Sequence, residues 1–238
     1  MTSITLPPVT PLTPLTPLTP LTPLTPLTVF HTEGQLEAGV DEAGRGCLMG
    51  RVYAAAVIMP QEYEEGDTTY LKIKDSKKLS AKKRELLREY IEQTAIAYGV
   101  GYAESTEIDE TDIYKATMKA MHRALDQVTE QLSDSVDRIL VDGEHFKPYY
   151  DTYENYPPYL CVVRGDGTYL SIAAASILAK CARDNSIMDI LKETPELNKY
   201  GWSTNKGYGT KAHMDGIRTH GITSHHRLSF KPCKGKKT

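Results

Sequence analysis

Cysteine is scarce and scattered in this 238-residue chain: Cys47, Cys161, Cys181 and Cys233, with no C-x-x-C pair. That spacing argues against a cysteine zinc site or a disulfide framework, and it points to a reduced, cytoplasmic setting. The first residues lack the basic n-region and continuous apolar h-region of a signal peptide. No apolar run approaches the roughly 18 residues of a membrane span, so no membrane association is expected. Excess positive charge is missing too. With 28 Lys and Arg against 31 Asp and Glu, the formal net charge is −3. A nucleic-acid partner would therefore have to meet a local basic surface. The histidines near the end, His213, His220, His225 and His226, come without a zinc-type ligand set. They read as surface or hydrogen-bonding residues, with metal binding as the alternative.

What is present divides the chain in three. Residues 11–28 are six copies of Pro-Leu-Thr. Proline at every third position removes amide donors and favours extended polyproline II geometry. Residues 1–34 are expected to form a disordered or semi-rigid tail, with recognition by a proline-binding partner as an alternative. Removal of residues 1–30 is expected to leave activity nearly unchanged. The folded unit is expected over 35–232, followed by a flexible basic terminus, 233–238; the basic stretch Lys231–Lys237 contacts phosphates or simply frays.

Within that unit the pattern alternates between strands and helices. Leu36–Val40 and Val52–Met59 are apolar runs bracketing a glycine-rich turn, so a hairpin-like pair is expected. Ser80 reads as the N-cap of a helix with an apolar face of Leu86, Leu87, Tyr90 and Ile91. Ala95–Ala103 is a third strand, and helical spacing resumes from Ile113 to Val128. Arg138–Asp142 and Leu160–Val163 are further strands, separated by a Tyr/Pro-rich loop, Tyr149–Tyr159. A small-residue helix spans 171–184 and a short one lies near Thr210–Thr219. This is an α/β or α+β pattern built on one sheet.

Three of the apolar strands run into acids: Asp41-Glu42, Asp142 and Asp166. Each taken alone reads as the aspartate that commonly ends a strand or starts a turn. Taken together they suggest a site, because strand ends of one sheet gather ligands. Two unit charges about 4 Å apart repel by roughly 4 kcal/mol at an effective dielectric near 20. Four carboxylates at one rim therefore imply bound cations or at least one raised pKa. All-oxygen ligands favour Mg²⁺ or Mn²⁺ over zinc. A glycosidase-type pair is a poorer fit, since Asp41 and Glu42 are neighbours on a strand and point to opposite faces. Gly44-Arg45-Gly46 is not a P-loop. It reads as a turn with a surface arginine, or as a loop whose glycines let a substrate approach the backbone.

Five motifs in register carry a resemblance. DEAGRG (41–46), DSKKLS (75–80), LVDG (140–143), RGDGTYLSIAAASILAKCARD (164–184) and NKGYGT (205–210) together resemble ribonuclease HII. The likeness runs from about residue 36 to about 232. It implies a ribonuclease H-like α/β fold, a five-stranded mixed sheet flanked by helices with a C-terminal helical extension. It implies endonucleolytic cleavage of RNA paired with DNA, and incision 5′ of ribonucleotides embedded in duplex DNA, leaving 5′-phosphate and 3′-hydroxyl ends. It further implies a two-metal mechanism using Mn²⁺ or Mg²⁺ held by Asp41, Glu42, Asp142 and Asp166. By the same likeness Gly44, Arg45 and Gly46 would read the ribose 2′-OH, Tyr208 would lie near the ribo–deoxy junction, and Lys77 and Lys78 would face substrate. The two lysines read otherwise as solvated residues before a helix.

Two departures stand inside the match: Cys47 where the family often has proline, and Arg164 for the commoner lysine. Asp184 looks structural, closing a helix and pairing with an arginine. The sister family, ribonuclease HIII, is disfavoured by the short stretch before the match and by Asp166, where it typically has glutamate. A non-catalytic duplex binder on the same fold is disfavoured because all four acids are present. The chain is expected to act as a monomer.

Overall fold

The computed structural model describes residues 26–236, so residues 1–25 of the expected tail and the last two of the expected basic terminus lie outside the described residues. Five strands form one mixed sheet: β1 (Glu37–Ala43), β2 (Val52–Ile58), β3 (Ala97–Ala103), β4 (Arg138–Asp142) and β5 (Tyr159–Val162). Their spatial order is β3-β2-β1-β4-β5. The first three strands pair antiparallel, while β4 lies parallel to both β1 and β5. Six helices complete the unit: α1 (Ala81–Thr94), α2 (Ser105–Glu110), α3 (Ile113–Leu132), α4 (Leu170–Glu193), α5 (Trp202–Asn205) and α6 (Lys211–His220).

Strand alternation explains the layers. Val52, Ala54, Ala56 and Ile58 of β2 join the core beneath α3, whereas Ala55 and Val57 join the core beneath α1 and α4. Small residues let both helix layers come close. A Cβ on Gly99 or Gly101 would lie 2.2 Å from a backbone oxygen of α3, and one on Gly39 would lie 2.2 Å from the Ser171 carbonyl carbon of α4. A third apolar cluster, with Trp202, Tyr200, Leu48 and Cys233, ties the C-terminal helices to the loop after β1.

Helix starts follow their caps. The Ser80 side chain accepts from Lys83 N, and the Asp112 side chain accepts from Lys115 N. The expected α1 face needs one change. Leu87 and Ile91 are buried, but Leu86 is 59% exposed. The helix expected over 171–184 continues to Glu193, because Ile187 and Leu191 extend its buried stripe. Asp184 is therefore mid-helix, where it pairs with Arg84 at 3.4 Å and Lys180 at 2.7 Å. Among the described residues no helix is long and apolar enough to cross a membrane.

Both ends of the packed region differ from expectation. Thr28, in the last Pro-Leu-Thr unit, bridges to Tyr169, with Thr28 N donating to Thr168 O at 2.8 Å and Leu170 N to Thr28 O at 2.9 Å. Leu27 and Val29 pack against the α1/α4 core. Packing thus begins ahead of Gln35, and Cys233 at the other end is fully buried. Two hydrogen bonds and two half-buried side chains are together worth roughly 2–4 kcal/mol. A chain lacking residues 1–30 should melt about 4–16 °C below one lacking only 1–25. Equal melting temperatures for the two truncations, by calorimetry, would show that the Thr28 contact contributes nothing.

Candidate active site

Parallel pairing of β1 with β4 does the first work of assembly. Val40 is in register with Val141, and both enter the core under α3. The next residues, Asp41 and Asp142, therefore lie side by side and turn to the opposite face, toward α4. The strand expected to stop before the acids instead includes them, since Asp41 pairs with Ala55 and Glu42 with Ala54. Glu42 turns the other way and lines a cleft of about 280 Å³ with Arg45, Asp142, Glu144, His145 and Tyr114.

Asp166 arrives from the far side of β5, on a 3₁₀ turn over Gly165–Gly167. Gly165 N donates to the Asp142 carboxylate at 2.7 Å, which pins that turn to the end of β4. A Cβ on Gly165 would lie 2.6 Å from the Ile172 Cδ1 methyl and 3.4 Å from the Asp142 carboxylate, so the turn packs closely against both. Beside Asp166 a second cleft, about 540 Å³, is lined by Asp75, Lys77, Lys78 and Arg164. The two lysines thus stand next to the acids. Their short helix is started by Asp75, whose side chain accepts from Lys77 N.

The electrostatics show that the acids feel one another. Burial pushes Asp41 well above the usual carboxylate range, and the charges of Glu42 and Asp142 push it further. Glu42 is raised by burial and by Asp142, against the pull of Arg45, whose guanidinium lies 3.3 Å away. Asp166 is raised by burial, then by Asp142 and Asp75, while Lys77 opposes. Asp142 is the shared neighbour of the other three. Among the described residues, no three His, Cys, Asp or Glu side chains are drawn tightly enough together to enclose a metal ion. The donor set still fits hard divalent cations: it is all oxygen, it converges on one rim, and its repulsion is only partly offset by Arg45 and Lys77.

The loop after β1 has two different glycines. Gly44 has φ +97°, and a Cβ there would lie 2.1 Å from Arg183 Nε, so only glycine fits. Gly46 has nothing within 4 Å of its Cβ position and is exposed. Arg45 is half exposed. Tyr208 is carried to this loop by a bridge between Cys47 and Tyr208, reinforced by Leu48 N donating to Gly207 O at 2.8 Å. Its ring is 42% exposed, above Lys180 and Arg183. Cys47 N donates to Gly44 O at 3.3 Å, a bond that a proline at this position would lack.

Behind Tyr208 the histidines form a chain of hydrogen bonds. Trp202 Nε1 donates to His213 Nε2 at 3.0 Å, which makes that nitrogen an acceptor. His213 Nδ1 then donates to Tyr208 O at 3.0 Å, and His226 Nε2 donates to His213 Nε2 at 3.2 Å. Thr223 N donates in turn to His226 Nδ1. His213 and His226 are therefore buried hydrogen-bonding residues. Burial depresses both, and His226 is pushed down to about 4. Because the unfolded chain takes up that proton near pH 6.5, stability should fall as pH drops from about 6.5 to 4. The loss from His226 is on the order of 2–3 kcal/mol. Urea titrations at pH 7 and 4.5 should show it, and His226→Gln should flatten the slope; an unchanged slope would count against the assignment.

The site as built can now be set beside known proteins. The ribonuclease HII family model matches residues 38–233. The ribonuclease HII of Parabacteroides distasonis is 51% identical over 197 residues, covering 83% of this chain and 90% of that protein. The chain belongs to the ribonuclease HII family. It is thus an endoribonuclease of the ribonuclease H type, a hydrolase. Solved structures share the fold. The ribonuclease H2 of Pyrococcus horikoshii superposes with a TM-score of 0.65 at 23% identity, covering 83% of this chain and 94% of the other. A Bst ribonuclease HIII in complex with Mn²⁺ superposes with 0.61 at 20% identity, covering 85% and 70%.

Sequence reasoning missed three contributors. Ser176 of α4 hydrogen-bonds Ser76 at 2.9 Å and sits near the Asp41 carboxylate, whose burial-raised pKa it partly offsets. Arg183 and Arg227 lie buried behind the 44–51 loop. Ser176 stands in a run of alanines that suits close packing on the sheet, and nothing local marked either arginine as internal.

Proposed function

We propose that this endonuclease depends on divalent metal, cutting the RNA strand of RNA–DNA hybrids and incising 5′ of single ribonucleotides in duplex DNA. The expected products carry 5′-phosphate and 3′-hydroxyl ends. The observation that carries the reading is the convergence of Asp41, Glu42, Asp142 and Asp166 on one rim, with Gly44–Gly46 adjoining. These four residues would hold Mg²⁺ or Mn²⁺. When bound, such ions activate water and stabilise the leaving oxygen at the scissile phosphate.

The chain's own residues do the rest. Asp142, bonded to Gly165 N, keeps the Asp166 turn against β4, so the acids are positioned before substrate arrives. Lys77, Lys78 and Arg164 supply the local positive charge that the whole chain lacks, and they attract phosphates to the Asp166 side. Gly46 leaves room for a sugar to approach the backbone, where a 2′-OH separates RNA from DNA. Tyr208 offers an exposed ring beside that loop for the sugar or base at the junction. We take the protein to act as a monomer in the cytoplasm, in keeping with four unpaired cysteines. The test is incision of a DNA duplex holding one ribonucleotide, with and without Mg²⁺ or Mn²⁺. Cutting on the 5′ side of the ribonucleotide, only with metal, is expected; metal-independent cutting or equal cutting of all-DNA duplex would overturn the reading.

A further inference from the structure

We propose that Arg227 is a positioning residue for ribonucleotide selectivity, acting through the loop that follows β1. The inference rests on the reading of Gly44–Gly46 as the sugar-sensing loop.

Arg227 is 0% exposed, and its guanidinium is spent on that one loop. Nη1 donates to Arg45 O at 2.9 Å, Nε to Gly50 O at 2.9 Å and Nη2 to Arg51 O at 3.0 Å. Its backbone N donates to Leu48 O at 2.9 Å, and Gly50 N donates to His225 O at 2.8 Å. Burying a charge is costly unless it is hydrogen-bonded, and here every hydrogen-bond partner of the guanidinium is a main-chain carbonyl between residues 45 and 51. Phe230 covers the guanidinium, with its ring centre 5.1 Å from Cζ.

The bond to Arg45 O has a consequence for the next residue. No peptide bond here is cis, and in a trans peptide the C=O and the following N–H point in opposite directions. Drawing the Arg45 carbonyl inward therefore turns the Gly46 N–H outward. That N–H has no hydrogen-bond partner among the described residues, and Gly46 faces open space. An unpaired, outward main-chain donor beside four carboxylates is suited to a sugar hydroxyl. Arg183 backs the same loop differently. It is a second buried guanidinium, with Nε, Nη1 and Nη2 all unbonded, packed against Gly44 as a wall. Arg227 grips the loop, and Arg183 stops it from sinking.

Lysine keeps the charge at 227 but lacks the planar fork that reaches three carbonyls. Arg227→Lys should lower kcat/KM on the single-ribonucleotide duplex about 10- to 100-fold, reducing its preference over all-DNA duplex. Mn²⁺ affinity by calorimetry should stay within about twofold. Ser229→Ala disturbs the same segment through its bond to Asp109 but does not touch the loop, and it should behave as the parent. Retained preference in folded Arg227→Lys, or metal affinity falling in proportion to rate, would overturn the proposal. If Arg227→Lys does not fold, Gly46→Pro decides, since it removes the N–H and leaves Arg227 in place; a parental preference there refutes the mechanism. A parent protein that cuts both duplexes equally would instead refute the sugar-reading loop itself.

Discussion

Replacing Asp142 by asparagine is expected to lower incision of the single-ribonucleotide duplex at least about a thousandfold, roughly 4 kcal/mol in the barrier. Asp142 is the acid that raises Asp41, Glu42 and Asp166 alike. It stands beside Asp41 through the β1–β4 register and beside Asp166 through the Gly165 bond. Asparagine keeps the shape, and its amide oxygen still accepts from Gly165 N. What it removes is one negative charge from the centre of the set, and with it an anionic oxygen for a cation. Fold and metal effects therefore separate. The variant should melt at or above the parental temperature without metal, because like-charge repulsion is relieved. It should lose the increase in melting temperature that Mn²⁺ is expected to give the parent. Parental cutting by Asp142→Asn would remove the acids from the chemistry altogether.

The sheet was legible because its strands are short apolar runs with clear punctuation, and because Val52–Ile58 is buried on both faces. The helix caps at Ser80 and Asp112 are likewise local chemistry; Ser80 was read from the sequence, whereas Asp112 was not, although it stands just ahead of the helical spacing from Ile113. The four acids were legible only as a set, through their motifs; the convergence itself depends on parallel pairing between segments about a hundred positions apart. Other features carry no local mark. The Thr28 unit is identical in sequence to the five copies before it, so nothing local marks its contact with Thr168–Leu170. Leu86 and Leu87 are equally apolar, and which one faces inward is decided by the exact rotation of α1 on α4. Arg227 sits in a Gly-, His- and Lys-rich stretch in which arginine is ordinarily exposed. Its burial is caused by carbonyls supplied from the other end of the chain.

The same logic makes Gly39→Ala the second large effect, although this residue touches no substrate. A Cβ at Gly39 would lie 2.2 Å from Ser171 C, 2.4 Å from Ile172 N and 2.6 Å from Ser171 Cβ. Two of these are backbone atoms of α4, which have no rotamer to escape into. The strand and the helix would have to separate, and overpacking against backbone atoms costs about 3 kcal/mol, the upper end of the usual range. The displacement falls on the site as well. Gly39 lies two residues before Asp41 on the same face of β1, and Ser171 lies five residues after Asp166 at the start of α4. Moving α4 away from β1 therefore moves Asp166 and Ser176 away from Asp41. Where Gly39→Ala remains folded, it should melt at least about 6 °C lower and bind Mn²⁺ more weakly, with the acids themselves untouched. Parental melting and parental Mn²⁺ affinity together would show that β1 and α4 do not fix the distance between the carboxylates.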